Sequence, residues 1–253
     1  MRRSLLLLVS IIPLACGAAL PDEIEVFDDV LAPIGQTRET IHINTSPSGR
    51  TAPDFSDEIT PHRTWRTMLE LSRGVADGLE LGLHIPFLLD REGTFHAAGV
   101  RPRLRWIPIR PAEGSAGAFL GFNLEYSDVG RRFERPARHL EWKPIAGWRG
   151  SDWLAAANPT FIAWLSDTPK PNPEFSFNAM IKRQLGGGAL VGLEYYAAYG
   201  PLGDFRPPAE RDRTLFLAAD FTLFDRYRIN VGFGRGLTPH ADHSVLKLQI
   251  AFP

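Results

Sequence analysis

Strict alternation of apolar and polar side chains restricts this chain's fold more than any other feature. In Leu79-Glu80-Leu81-Gly82-Leu83-His84-Ile85-Pro86-Phe87 every odd position is apolar, while Glu80, Gly82 and His84 fill the other side. The period recurs in Val100 to Trp106, where Arg101, Arg103 and Arg105 oppose Val100, Pro102, Leu104 and Trp106. It returns at Leu120 to Tyr126, Leu140 to Pro144, Phe175 to Lys182, Val191 to Tyr195, Tyr227 to Gly234 and Leu246 to Phe252. Period two describes strands with one apolar and one polar face. Weaker stretches at Thr40 to Thr45, Trp65 to Leu71, Trp153 to Trp164 and Leu215 to Phe221 bring the count to about twelve. No segment keeps a helical period; helix is expected only in loops or around Ile24 to Leu31.

The connections alternate as well. Short ones are Gly74 to Gly78, Arg149 to Asp152, Gly186 to Gly188 and Phe224 to Arg226. Long ones are Ser46 to Pro61, Leu89 to Phe95, Asp128 to Ala137, Ser166 to Pro173, Gly200 to Arg213 and Gly236 to His243. Arg110 to Gly117 is middling where the pattern calls for a short turn. Short turns at one rim and long loops at the other belong to outer-membrane barrels.

Met1 to Ala19 has the form of a secretory signal: Arg2 and Arg3, then apolar Leu5 to Leu14, then small residues over Ala15 to Ala19. Cleavage near Ala19 is expected, with a lipoprotein cut before Cys16 as the alternative. The expected organisation is a signal over 1–19, an N-terminal periplasmic segment over 20–37 and the barrel over 38–253. Cys16 is the only cysteine and lies in the signal, so the mature chain has no disulfide framework and no thiolate metal site. A net charge of -1 argues against a polybasic nucleic-acid binder, and 44% apolar residues argue against a disordered chain. No later run of eighteen apolar residues offers a membrane helix, which leaves the closed β-barrel as the membrane-spanning solution.

The charges decide which face would meet lipid. An arginine at mid-membrane on the lipid side costs about 2–4 kcal/mol. Three of them on one strand would forfeit much of a typical folding free energy of about 5–15 kcal/mol. Arg101, Arg103 and Arg105 therefore face the lumen of any barrel this chain forms. The tryptophans and tyrosines Trp65, Trp106, Tyr126, Trp142, Trp148, Trp153, Trp164, Tyr195 and Tyr227 lie largely near strand ends, where interfacial girdles form. Phe252, one residue from the end, resembles the terminal aromatic signal read by the outer-membrane barrel-assembly machinery. The fold expected is all-β, an antiparallel up-and-down transmembrane barrel of about 12 strands. A soluble periplasmic β-sandwich, with its apolar faces inward, is the competing arrangement.

The stretches His42 to Arg50, Arg101 to Arg110 and Gly192 to Tyr196 resemble a poorly characterised group of proteobacterial outer-membrane barrels. That group is similar to transporter-like barrels found with aromatic-degradation pathways. The resemblance rests on strand patterns rather than chemical signatures. It implies a barrel in a Gram-negative outer membrane, and it carries over no catalytic residue.

The lumen lining expected from the alternation is Arg66, Glu70, Glu80, His84, Arg101, Arg103, Arg105, Asn123, Glu125, Glu141, Lys143, Lys182, Glu194, Asp220, Arg228 and Lys247. Such groups pair across a narrow barrel, because unpaired charge away from water is costly. Two functions fit: a passive channel for small polar or anionic solutes, or a non-conducting barrel that acts through its long outer loops. Beyond lipid, the assembly machinery and a small solute, no partner is implied; no cofactor, metal site or enzymatic activity is expected. His240-Ala241-Asp242-His243 holds three metal-ligand types but no element to orient them, so a solvated loop is expected. Ser72 and His84 are expected near opposite rims, too far apart for nucleophile and base.

Overall fold

A computed structural model describes residues 23–112, 114–167 and 172–253, so the signal expected over 1–19 lies outside the described residues. The strands are β1 (Thr37–Ser48), β2 (Trp65–Ala76), β3 (Leu79–Leu89), β4 (Phe95–Ala97), β5 (Gly99–Ile109), β6 (Gly117–Val129) and β7 (Arg138–Arg149). They continue with β8 (Trp153–Trp164), β9 (Glu174–Leu185), β10 (Ala189–Pro201), β11 (Asp212–Leu223), β12 (Tyr227–Gly236) and β13 (Ser244–Ala251). Every pairing between these strands is antiparallel, and β1 pairs with both β2 and β13, which closes the sheet. β4 pairs only with the far end of β3, where it extends a loop hairpin, so the wall has 12 strands. Closure leaves the 12-strand wall without an edge strand, which suits a sheet in lipid, where a free edge would hold unpaired peptide groups.

The wall strands run from 8 residues in β13 to 13 in β6 and β10. Strands of about 9–11 residues cross a tilted bilayer path. The side-chain alternation is the inverted kind. Leu193 on β10 lies between Ile181 on β9 and Leu217 on β11, and the three are 45%, 51% and 60% exposed. One residue on, Glu194 lies between Met180 and Phe216, and all three are buried. The apolar row therefore faces outward, toward lipid, and the charged row faces the interior.

Trp65 and Trp142 are exposed toward the long-loop rim, and Trp106, Trp148 and Trp153 toward the short-turn rim, as two girdles. Trp164 departs from the expected girdle. It points inward, and its indole N–H donates to Glu174 at 3.0 Å, which satisfies the one polar atom of a buried tryptophan. Phe252 packs edge-on against Tyr227 at 5.8 Å, while its N–H bonds to the Glu39 carbonyl.

The stretch from Ile24 to Leu31 contains no helix; it runs as irregular extended chain within the barrel. Among the described residues the sole helical turn is Pro208–Glu210, in the β10–β11 loop. Replacing Leu193 with arginine would put a charge in the outward apolar row. The change should cost about 2–4 kcal/mol, measured from the urea midpoint of the heat-modifiable species in lipid. An unchanged midpoint would place that row away from lipid.

Candidate functional site

Fourteen of the sixteen residues expected to line the lumen are buried on the inward row; of the other two, Asp220 is half-buried and Arg228 exposed. Arg228 stands two residues into β12, at the short-turn rim, where solvent reaches it.

The inward charges form three paired groups and one further pair. In the first, Glu80 accepts from Arg103 at 3.2 Å, Arg105 at 2.9 Å and Arg38 at 3.1 Å, and from the Ala32 N–H at 2.6 Å. Glu70 accepts from Arg103 and from Ser72 Oγ, and lies 2.9 Å from His42 Nε2. In the second, Lys143 reaches Glu141 at 2.9 Å and Glu23 at 3.3 Å. In the third, Glu194 binds Lys182 at 2.8 Å, Lys247 and the Tyr196 hydroxyl, and Lys182 also reaches Asp220 at 2.6 Å. Arg101 pairs with Glu134 at 3.3 Å. The arginine ladder of β5 is thus engaged by carboxylates and does not stand free. Gly82 makes the ladder possible, since a Cβ there would lie 2.6 Å from Arg103 Nε.

Residues 20–37 were expected to be periplasmic, yet residues 23–32 of that span thread the barrel. Phe27 is fully buried; its N–H donates to Asn158 Oδ1 at 2.7 Å and its carbonyl accepts from Asn158 Nδ2 at 3.1 Å. Lys143, Arg105 and Arg103 sit 4.6, 5.0 and 5.3 Å from its ring centroid, at cation–π distance. The Ile24 carbonyl accepts from Lys247 and Gln249, both at 3.1 Å, and the Val30 carbonyl from Arg105 at 2.9 Å. Nearer the short-turn rim, Arg149 pairs with Asp28 and Asp29. Ile24, Val26 and Phe27 also pack on inward apolar residues, among them Phe119, Ile145, Tyr196, Phe216 and Val245. The segment enters the barrel because its acidic and apolar side chains both find partners there.

The lumen is consequently divided. A cleft lies on the long-loop side, lined by Arg50, Asp54, Arg66, Tyr196 and Asp242. Another opens on the short-turn side, lined by Glu25, Arg38, Arg149, Lys182 and Arg228. Ile24 borders the first, Glu25 and Val26 the second, so the segment is the partition between them.

The loop His240-Ala241-Asp242-His243 is tied down rather than solvated. Asp242 accepts from Ser46 Oγ at 2.5 Å and from the Arg50 N–H at 2.7 Å, and His240 Nε2 lies 3.5 Å from Asp54. Arg50 in turn pairs with Asp54 at 3.2 Å and Glu58 at 2.7 Å. The β1–β2 and β12–β13 loops are thereby clasped beside the long-loop mouth. Burial alone would raise the Asp54 carboxyl, but His240 and the Arg50 guanidinium outweigh it and hold it below its ordinary 3.8. Ser72 and His84 also differ from expectation: the register sets Ser72 opposite Gly82, one inward position from His84, and not at another rim. Ser72 Oγ is engaged by Glu70 and Arg103.

No protein-family model matches the sequence, and no curated protein matches it. Solved barrels match in fold. An outer-membrane channel from Pseudomonas putida F1 is 13% identical, covers 91% of this chain and 99% of its own, and superposes with a TM-score of 0.59. The NanC porin is 8% identical over 86% of this chain and 100% of its own, with a TM-score of 0.55. The KdgM porin is 10% identical over 85% and 98%, with a TM-score of 0.52. At such identities the likeness shows the fold alone: a closed, antiparallel β-barrel of the kind found in outer-membrane channels.

Two outcomes follow. Glu80→Leu would leave Arg103 and Arg105 short of a buried partner and should destabilise the barrel by about 3–5 kcal/mol in urea titration; a loss under about 1 kcal/mol would contradict the pairing. The stability contributed by Asp54 is complete above its ordinary 3.8 and is lost as the pH falls through the lowered folded value. Asp54→Asn should therefore lower the urea midpoint at pH 7, with the difference from the parent shrinking as the pH falls below 3.8, and a difference that stays constant with pH would contradict the clasp.

Proposed function

We propose that this chain is an outer-membrane channel for small polar or anionic solutes, closed at rest by its own N-terminal segment. The observation that carries this reading is the convergence of Arg103, Arg105 and Lys143 on Phe27 within a polar lumen. Withdrawal of the segment removes Glu23, Glu25, Asp28 and Asp29 together. The wall then presents cations without those acidic partners, a surface that attracts anions. The likeness to barrels found with aromatic-degradation pathways suits the same place, since a ring bearing a carboxylate would satisfy both the aromatic contact and the freed cations. Phe252 and the last strand are the elements we assign to engagement of the assembly machinery.

The second reading is a non-conducting barrel acting through its outer loops. It is favoured by the clasp of Asp242 on Ser46 and Arg50 and by the filled lumen. Single-channel recording in planar bilayers separates the two. The mature chain should conduct little, and a chain lacking residues 20–33 should conduct several-fold more, with anion preference. Changing Arg101, Arg103 and Arg105 to serine in that shortened chain should abolish the preference. A shortened chain that folds, inserts and still fails to conduct would contradict the channel and support the loop-driven barrel.

A further inference from the structure

Beside the paired groups, two inward side chains, His84 and Glu125, are left without a hydrogen-bonding partner. His84 on β3 and Glu125 on β6 straddle β5, and Glu23 of the threaded segment meets them in the lumen. His84 Nδ1 lies 3.0 Å from Glu125 Oε2 and 3.9 Å from Glu23 Oε2, and the three side chains are 0%, 1% and 4% exposed. Yet neither ring nitrogen of His84 and neither oxygen of Glu125 makes a hydrogen bond, because the 3.0 Å approach is not aligned as one. A wholly buried carboxylate with both oxygens unsatisfied is costly, and such groups in a folded protein call for an explanation. The neighbouring cations are committed elsewhere. Arg101 pairs with Glu134, Lys143 is shared between Glu23 Oε1 and Glu141, and Arg103 between Glu70 and Glu80. Glu23 therefore turns one oxygen to Lys143 and has the other, Oε2, left for the cluster.

We infer that Glu23, His84 and Glu125 form a binding site for one divalent transition-metal ion, which ties the N-terminal segment to the barrel wall. Ligands held about 2.1 Å from such an ion stand about 3.0–3.4 Å from one another at octahedral to tetrahedral angles. The 3.0 Å pair has that spacing already, and the 3.9 Å pair needs a shift of roughly half an ångström on that geometry. One imidazole and two carboxylates form a hard-to-borderline set, suited to zinc, manganese or cobalt and unsuited to metals that demand thiolates. A dication would also supply the positive charge that Glu125 lacks. The neighbouring trio of Glu25, His42 and Glu70 is spaced alike, but its Glu70 is already taken by Arg103, Ser72 and His42. The site is independent of conduction, since it holds the segment in either a channel or a closed barrel.

The test is titration of the refolded, metal-stripped mature chain in detergent with Co²⁺, followed by visible absorption and calorimetry. One ion per barrel with ligand-field bands is expected. Glu125→Gln and Glu23→Gln should each weaken binding about tenfold or more, as loss of a metal-site group does, while the loop variant His240→Ala leaves it unchanged. Glu23 lies outside every strand, so its variant should keep the heat-modifiable fold even if the wall variant loses it. Absence of saturable binding would overturn the site, as would binding indifferent to Glu23 and Glu125 or abolished by His240→Ala.

Discussion

The pairing of Glu70 and Glu80 with the arginines of β5 is the constraint on which the rest of this barrel depends. Three guanidinium groups on one face of a strand exclude lipid from that face. Turned inward, Arg103 and Arg105 meet carboxylates of β2 and β3 across the sheet while Arg101 meets Glu134 of the β6–β7 loop, and Glu80 alone receives hydrogen bonds from three arginines. Once that face is inward, the two-residue period sends Leu81, Leu104 and Leu124 outward. The membrane orientation of the whole wall follows from where a few charges find partners.

A ring of 12 strands encloses more space than its own side chains fill, unlike the smallest barrels. Here the remaining volume is taken up by the chain's own N-terminal segment, which brings both kinds of group the interior lacks. Its acidic residues balance cations of the wall, and Ile24, Val26 and Phe27 supply an apolar centre. Phe216 can reach that centre because β12 carries Gly234 opposite it, where a Cβ would lie 2.5 Å from the ring. The interior is therefore a layered filling: a mixed cleft at the long-loop end, a polar one at the short-turn end, and a packed, charge-lined partition between.

The wall was legible in the sequence because strand period and loop length are local quantities. Leu79 to Phe87 declares its two faces without reference to any other residue, and so do Arg101, Arg103 and Arg105. What the sequence did not reveal depends on residues far apart. Phe27 and Asn158 exchange two hydrogen bonds across 131 positions, and nothing in the irregular stretch around Phe27 announces that partner. The one available signal was compositional: Glu23, Glu25, Asp28 and Asp29 are acidic, and the inward row is rich in arginine and lysine. Trp164 was misplaced for a related reason. Its position near a strand end fits a girdle, but its parity along β8, shared with inward Asn158 and Thr160, points it at Glu174. The Asp242 clasp joins two loops nearly two hundred positions apart and left no local trace.

The central claim is that residues 23–32 occupy the barrel interior as a bonded part of the fold. Hydrogen–deuterium exchange of the mature chain in lipid nanodiscs tests it without altering a residue. The Phe27 and Ala32 amides, which donate to Asn158 and Glu80, should be protected to a degree comparable with the wall strands. Exchange of both at the rate of a free chain, while β8 and β3 remain protected, would contradict the account.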